Sequence, residues 1–244
     1  MSIPKVIHYC WFGYNKMPAL YEKCIQSWKK YCPDYEIVCW NEENFDITQN
    51  RYAKEAYEAG KWAFVSDYVR LKVLFEHGGI YLDTDVELIR PIDALVADGG
   101  YMGFDEMGLV STGLGFACEK GNALVGALLA DYDDLSFVLP DGTYDTLPCP
   151  DRNTKTLIEL GMNTDLKDQV FMGIHMLPED YLCPMKYHTG KKIVTKNTYS
   201  IHHFAASWTS ATAKRTLFLK RLVGVKMYDK LYGKFLHKCK WLEW

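Results

Sequence analysis

The chain has 244 residues, a mass of 28.1 kDa, 48% hydrophobic residues and a net charge of −3 at pH 7. This length is sufficient to bury the core of a single α/β domain, so no second globular domain is needed. The eight cysteines form no Cys-x-x-Cys pair, and no run of about 18 apolar residues occurs. We therefore expect reduced thiols in a cytoplasmic protein, and neither secretion nor a membrane span.

The predicted elements alternate between strands and helices along the chain. In order, they are strands at 5–12 and 35–40, helices at 20–31, 52–59 and 63–76, strands at 80–82, 101–104 and 113–118, and a helix at 123–132. This alternation is typical of a mostly parallel sheet with helices packed on its faces. The segment 137–153 is rich in proline, aspartate and glycine and is predicted to be a long loop, either a lid or an inert insertion.

The helix predicted at 63–76 carries a charged pair on one face. Its apolar positions recur at steps of three and four residues, at Phe64, Tyr68, Leu71, Leu74 and Phe75. Asp67 and Arg70 are three residues apart and so lie on the same side of this helix. Gly78 and Gly79 provide the left-handed backbone that commonly ends a helix. Asp67 and Arg70 are either a functional pair or a weak surface ion pair.

Two aspartates follow the short apolar strand at 80–82. Alternate residues of an extended chain point to the same side, so Asp83 and Asp85 can converge on one divalent cation. In α/β sheets, ligands bind beyond the ends of strands, which is where this pair is expected. The other interpretation is a solvated pair of carboxylates at a strand end.

Five segments together resemble a known family. The helix residues 66–70, the break at 78–79 and the strand 81–85 resemble the sugar-binding region of the DXD glycosyltransferases of family 32. The opening segment 3–13 and the late segment 201–208 fit the same pattern. A single Asp-x-Asp would be a weak signal, but the linked set spans most of the chain.

The resemblance implies a GT-A fold, which has a Rossmann-type sheet flanked by helices. It also implies a retaining hexosyltransferase that requires Mn²⁺ or Mg²⁺ and a nucleotide-sugar, for which we expect a UDP-linked hexose or N-acetylhexosamine. The cation is needed because negative charge develops on the departing diphosphate. The expected acceptor is a glycan or a lipid-linked saccharide in polysaccharide biosynthesis. The alternative is a nucleotide-sugar-binding or membrane-surface scaffold protein without catalytic activity.

Matched positions imply a role for each site residue. The resemblance assigns Asp67, Arg70, Asp83 and Asp85 to catalysis, and Asp83, Asp85 and His202 or His203 to the metal. It assigns Trp11 to the nucleobase, Ser66 and Tyr81 to the ribose, Asp83 also to the donor, and Ser207 and Trp208 to the diphosphate. Neighbouring strand residues face opposite sides, so one histidine faces the site. The spacing leaves the choice between them open, with His202 favoured.

The C-terminal segment 214–244 differs from the rest in charge. It contains nine Lys or Arg and two acidic residues, a balance of +7, whereas residues 1–213 sum to −10. We therefore divide the chain into a catalytic domain at 1–213 and a basic amphipathic helical tail at 214–244. Such a tail suits an anionic membrane on the inner face of the cell, although it could instead cover the catalytic domain. Nucleic acid is not expected, because no recognition motif accompanies the charge.

Overall fold

The computed structural model describes residues 2–165, 168–205, 211–224 and 227. The strands are β1 (Val6–Cys10), β2 (Glu36–Trp40), β3 (Gly79–Tyr81), β4 (Val86–Leu88), β5 (Gly100–Gly103), β6 (Phe116–Cys118), β7 (Gln169–Phe171), β8 (Ile174–Leu177) and β9 (Ser200–His202). The helices are α1 (Ala19–Tyr31), α2 (Arg51–Glu58), α3 (Trp62–His77), α4 (Asp93–Val96), α5 (Ala123–Ala130), α6 (Cys149–Glu159), α7 (Glu179–Leu182) and α8 (Ala211–Val223).

Seven strands form the central sheet, in the order β2-β1-β3-β6-β5-β8-β7. Strands β1, β2, β3, β5 and β8 run in one direction, whereas β6 and β7 run in the other. The predicted α/β class with a mostly parallel sheet is therefore confirmed. Strands β4 and β9 form a separate antiparallel pair, in which Val86 lies opposite His202.

The sheet is buried on both faces. Tyr81 belongs to the hydrophobic cluster on the side of α2, α3 and α5, whereas its neighbour Ile80 belongs to the cluster on the side of α1 and α7. This alternation follows from the period of two in a strand, which sends successive side chains into opposite layers. The carboxyl end of β3 consequently opens between two packed layers, where the acidic pair lies.

Helix α3 ends abruptly because of two glycines. Gly78 has φ +69° and Gly79 has φ +101°, which side chains rarely adopt. A Cβ on Gly78 would lie 2.7 Å from the backbone nitrogen of Lys120, and one on Gly79 would lie 2.8 Å from the carbonyl oxygen of Val6. The predicted glycine stop is confirmed, and it allows the chain to turn directly from α3 into β3.

The predicted elements are confirmed to within three residues at each end. The loop predicted at 137–153 is wrong at its C-terminal end, because α6 begins at Cys149. The short elements β4, β7, β8, α4 and α7 were not predicted, whereas the strand assumed at 202–203 corresponds to β9, which ends at His202. The predicted boundary between residues 213 and 214 falls inside α8, and the tail beyond residue 224, apart from Met227, lies outside the described residues.

The seven cysteines in the described part of the chain are free thiols. Within the same described ranges, none of the helices combines the length and the hydrophobicity required to span a bilayer.

Candidate metal and donor site

The acidic pair lies in a turn between β3 and β4. The backbone nitrogen of Val86 donates to the carbonyl oxygen of Asp83 at 3.0 Å, so the chain from 83 to 86 is not extended. The indole of Trp28 donates to the carbonyl oxygen of Val86 at 2.7 Å and supports this turn from the core. The extended geometry predicted for the pair is therefore wrong, and the two carboxylates converge because the backbone turns.

A histidine from far along the chain joins the two carboxylates. Strand β9 pairs with β4 and brings Nε2 of His202 to 3.1 Å from Oδ1 of Asp85. One ligand atom from each of Asp83, Asp85 and His202 lies within 4.8 Å of the others. The ring of His203 points away and bonds Glu87 at 2.8 Å, so it lies outside this cluster.

The surroundings favour the ionised form of Asp85, whereas burial raises the pKa of Asp83. Burial alone would raise the pKa of Asp85, but His202 and the backbone nitrogen of Ala205 lower it to about 2. Burial alone would lower the pKa of His202, but the carboxylate of Asp85 outweighs burial and raises it. Nδ1 of His202 is buried and has no partner among the described residues. A divalent cation between these groups would take over the role of the imidazolium, which supports a metal at this position.

Arg70 joins Asp67 to the acidic pair. Its Nη2 lies 3.1 Å from Oδ1 of Asp67 and 3.0 Å from Oδ1 of Asp83, and its side chain is almost fully buried. Its Nε donates to the carbonyl oxygen of Ser66 at 3.1 Å. The guanidinium therefore fixes two carboxylates in one arrangement, which a flexible surface ion pair could not do.

Ser66 and Tyr81 face inward rather than into open space. The hydroxyl of Tyr81 donates to Oδ1 of Asp83 at 2.8 Å, and the hydroxyl of Ser66 accepts from Nη2 of Arg70 at 3.1 Å. Both hydroxyls thus orient charged groups of the site. Because Oδ1 of Asp83 already accepts two hydrogen bonds, its Oδ2 is the oxygen left for a ligand.

Trp11 directly follows β1 and is half-buried. Its indole donates to the carbonyl oxygen of Asn15 at 2.7 Å, and its ring meets Tyr21 edge-on with 5.4 Å between centroids. Burial and the negative charges of Asp85 and Asp83 raise the pKa of Tyr21, which lies on α1 near the carboxylates. Sequence reasoning missed Tyr21, because an isolated tyrosine on a helix has no distinguishing pattern. Ser207 and Trp208 lie outside the described residues.

Two further residues reach the site through long-range packing. Cys149 at the start of α6 lies 3.5 Å from Nη1 of Arg70, and burial raises the pKa of its thiol, which is therefore neutral. Gly113 lies against the acidic pair, where an added Cβ would be 2.5 Å from Oδ2 of Asp83. The absence of a side chain at position 113 leaves space beside the oxygen that is available to a ligand.

Changing Gly113 to alanine is expected to reduce the sugar transfer that the resemblance implies by about 10²-fold, because displacing Asp83 would misplace the donor. The added methyl group must push aside Oδ2 of Asp83. Steady-state kinetics and thermal melting measure the effect. Gly126→Ala is the control, since its methyl group meets the ring of Phe75, away from the carboxylates. Equal activity of the two variants would show that the space at Gly113 has no role.

The segment before α6 forms a hairpin held against α2 and α6. Its residues Val138 and Tyr144 form an antiparallel bridge, and Nη2 of Arg152 bonds Asp145 at 2.7 Å. The nitrogen of Val138 donates to Glu55 on α2 at 2.9 Å. The part of the predicted loop that precedes α6 is therefore ordered by specific contacts beside the helix that carries Cys149.

Comparison with known proteins identifies the same region. Residues 18–100 match the model of the family described as the glycosyltransferase sugar-binding region containing DXD motif. This stretch includes the carboxylates on α3 and in the β3–β4 turn, and it ends before β9. The match therefore covers Asp67, Arg70, Asp83 and Asp85, but not His202.

The curated relatives are longer proteins. Inositol phosphoceramide mannosyltransferase 3 of Schizosaccharomyces pombe is 34% identical over 39% of this chain and 28% of its own length. Inositol phosphoceramide mannosyltransferase 1 of the same organism is 24% identical over 41% of this chain and 34% of its own. Subversion of eukaryotic traffic protein A of Legionella pneumophila is 26% identical over 57% of this chain and 26% of its own length. The chain thus spans about a quarter to a third of these relatives.

Two solved structures are similar over larger shares of the chain. The PaToxG glycosyltransferase aligns with TM-score 0.47 and 19% identity, over 65% of this chain and 70% of that one. A glycosyltransferase involved in the glycosylation of the major capsid of PBCV-1 aligns with TM-score 0.48 and 12% identity, over 88% of this chain and 100% of that one.

Proposed function

We propose that this chain is a glycosyltransferase with a DXD sugar-binding region of the family 32 type, and that it transfers a hexose from a nucleoside-diphosphate sugar in a cation-dependent reaction. The observation that carries the proposal is the cluster of Asp83, Asp85 and His202 within 4.8 Å. When the nucleoside diphosphate leaves the sugar, negative charge develops on its phosphate, and a cation held at this cluster would compensate that charge.

The donor set of the cluster favours manganese. Two carboxylates suit magnesium or manganese, whereas an imidazole nitrogen is a poorer ligand for magnesium. Asp85 and His202 would bind the cation directly. Asp83 would offer Oδ2, because its other oxygen, Oδ1, accepts the hydrogen bonds from Arg70 and Tyr81. Mn²⁺ is therefore our first choice, with Mg²⁺ as the second.

The remaining site residues would hold the donor sugar. Asp67 and Arg70 lie next to Asp83. The hydroxyl groups of a sugar beside the diphosphate would therefore meet a carboxylate that accepts hydrogen bonds and a guanidinium that donates them. The carboxylate of Asp67 is already held by Arg70, which suits hydrogen bonding to the sugar better than attack on its anomeric carbon. We therefore propose retention by a same-face route, in which an oxygen of the departing phosphate accepts the proton of the acceptor hydroxyl.

The donor and the acceptor are inferred from the resemblance, from the names of the relatives and from the charge of the chain. A UDP-linked hexose or N-acetylhexosamine is the first expected donor. The names of two relatives indicate mannosyl transfer to inositol phosphoceramide, which makes a nucleotide-linked mannose the second donor to test. The same names and the basic segment 214–244 support a lipid-linked acceptor, reached from the cytoplasmic side of a membrane.

A panel of nucleotide-sugars tested for slow hydrolysis identifies the donor. Each sugar is incubated with the protein and Mn²⁺, with Mg²⁺, and with a chelator, and released nucleotide is measured. We expect one donor to be hydrolysed with Mn²⁺ and not with chelator. A protein that is thermally stabilised by a nucleotide, but neither hydrolyses nor transfers any sugar, would instead be the non-catalytic binder.

Replacing each histidine in turn identifies which of the two is the metal ligand. His202→Ala is expected to weaken Mn²⁺ binding by about 10²-fold, because the cluster loses its nitrogen ligand. Titration calorimetry on the metal-free protein measures this. His203→Ala removes only the contact with Glu87 and should leave Mn²⁺ affinity nearly unchanged. The opposite ranking of the two variants would reassign the ligand to His203.

A further inference from the structure

Helix α8 presents large apolar side chains on its outer surface. Phe218 is 64% exposed and Leu222 is 69% exposed, and the two residues are four apart. Arg215 is also exposed and precedes Phe218 by three residues, so all three lie on one side of the helix. Exposed phenylalanine and leucine beside a basic residue indicate an interaction surface. We call this set of three residues the α8 outer face.

Arg221, three residues after Phe218, attaches α8 to the rest of the domain. The guanidinium of Arg221 donates to the carbonyl oxygen of Tyr187 from Nε at 3.1 Å and from Nη2 at 2.8 Å. Tyr187 belongs to a hairpin in which the nitrogen of Lys186 donates to the carbonyl oxygen of Lys191 at 2.9 Å. The orientation of the α8 outer face is thereby set relative to the domain.

This attachment also places α8 close to the metal cluster. The ring of Tyr187 meets the ring of Phe204 at 5.4 Å between centroids, and Phe204 meets His202 at 4.4 Å. Only two aromatic rings therefore separate the hairpin that holds α8 from the candidate metal ligand. Whatever binds the α8 outer face lies near the site at which the sugar is transferred.

The charge of α8 and of the adjoining hairpin indicates the kind of partner. Segment 214–244 has a balance of +7, opposite in sign to the −10 of the rest of the chain. The adjoining hairpin adds exposed Lys191 and Lys192, followed by Ile193 and Val194, which are 47% and 53% exposed. Basic residues next to exposed apolar side chains match an anionic bilayer, in which lipid headgroups meet the charges and acyl chains accept the apolar groups.

We propose that the α8 outer face docks on an anionic membrane surface and thereby presents the transfer site to a lipid-linked acceptor. The choice of acceptor rests on the proposed function, whereas the docking itself does not. Phe218 and Leu222 enter the acyl boundary, and Arg215 and the hairpin lysines contact the headgroups. A second copy of the chain would be a poorer occupant, because two surfaces of the same positive sign repel each other.

Co-sedimentation of the full-length protein with vesicles tests the docking. Vesicles of phosphatidylcholine with about 30 mol% phosphatidylserine are compared with pure phosphatidylcholine at low and high salt. We expect binding to the anionic vesicles alone, weakened by salt, and reduced at least about tenfold in the double variant Phe218→Ser, Leu222→Ser. The control Val170→Ser, Ile158→Ser changes side chains that are 62% and 46% exposed elsewhere, and it should bind like the wild type.

Donor hydrolysis measured without vesicles distinguishes the docking proposal from the proposed function. It should be the same in the wild type, the double variant and the control, because none of the changed residues touches the metal cluster. Undiminished vesicle binding by the double variant would overturn the docking proposal, as would equal binding to neutral vesicles. A wild-type dimer that becomes monomeric in the double variant, with vesicle binding unchanged, would also overturn it in favour of self-association. Vesicle binding without hydrolysis of any donor would contradict the proposed function alone.

Discussion

Replacing Arg70 by methionine is expected to abolish transfer and to lower the free energy of unfolding by about 3–5 kcal/mol. Methionine keeps much of the side-chain volume but leaves the carboxylates of Asp67 and Asp83 without their shared cation. Both carboxylates are largely buried, so water replaces the lost partner poorly. Urea denaturation measures the stability, and donor hydrolysis measures the activity.

A surface arginine provides the matched control for this change. Arg51 pairs with Glu55 four residues later on α2, and its side chain is 68% exposed. Arg51→Met should cost about 1 kcal/mol or less and leave hydrolysis intact, because exposed pairs contribute little. If Arg70→Met lost no more stability than Arg51→Met, the bridge between the two carboxylates would have no energetic importance.

Replacing Asp85 by asparagine is expected to reduce transfer by at least about 10²-fold while leaving the protein folded. Asparagine preserves the shape and can still accept the hydrogen bond from the nitrogen of Ala205. It removes the negative charge that attracts both His202 and a divalent cation. Loss of activity should therefore accompany loss of Mn²⁺ binding in calorimetry, with only a small change in melting temperature.

Asp34→Asn is the control, because the side chain of Asp34 is 77% exposed and its contact with Lys5 is long, at 3.8 Å. This variant should retain both Mn²⁺ affinity and turnover. A protein with Asp85→Asn that turned over donor at near the wild-type rate with Mn²⁺ would show that this carboxylate does not hold the activating cation.

Local sequence patterns predicted the elements that carry the acidic residues. The apolar periodicity around Tyr68 and the two glycines at 78–79 define the end of α3 and the start of β3 without reference to distant residues. The pair Asp67 and Arg70 follows from helical geometry in the same way. These features could be predicted because each depends on neighbours within a few positions in the chain.

The rest of the site depends on contacts between distant parts of the chain. Strands β4 and β9 have three residues each, too few for a periodic signal, and their register selects His202 over His203. Gly113 and Cys149 lie beside Asp83 and Arg70 only because separate elements pack together. Neither residue has a local pattern that distinguishes it from an ordinary glycine or buried cysteine.

The location of Mn²⁺ in crystals soaked with manganese and a nucleoside diphosphate, measured by anomalous diffraction, tests the proposed metal site most directly. We expect one strong anomalous peak in contact with Asp85 and His202, with Oδ2 of Asp83 facing the same ion or its ligands. A peak elsewhere, or bound nucleotide at the site without any ion between these three residues, would contradict it.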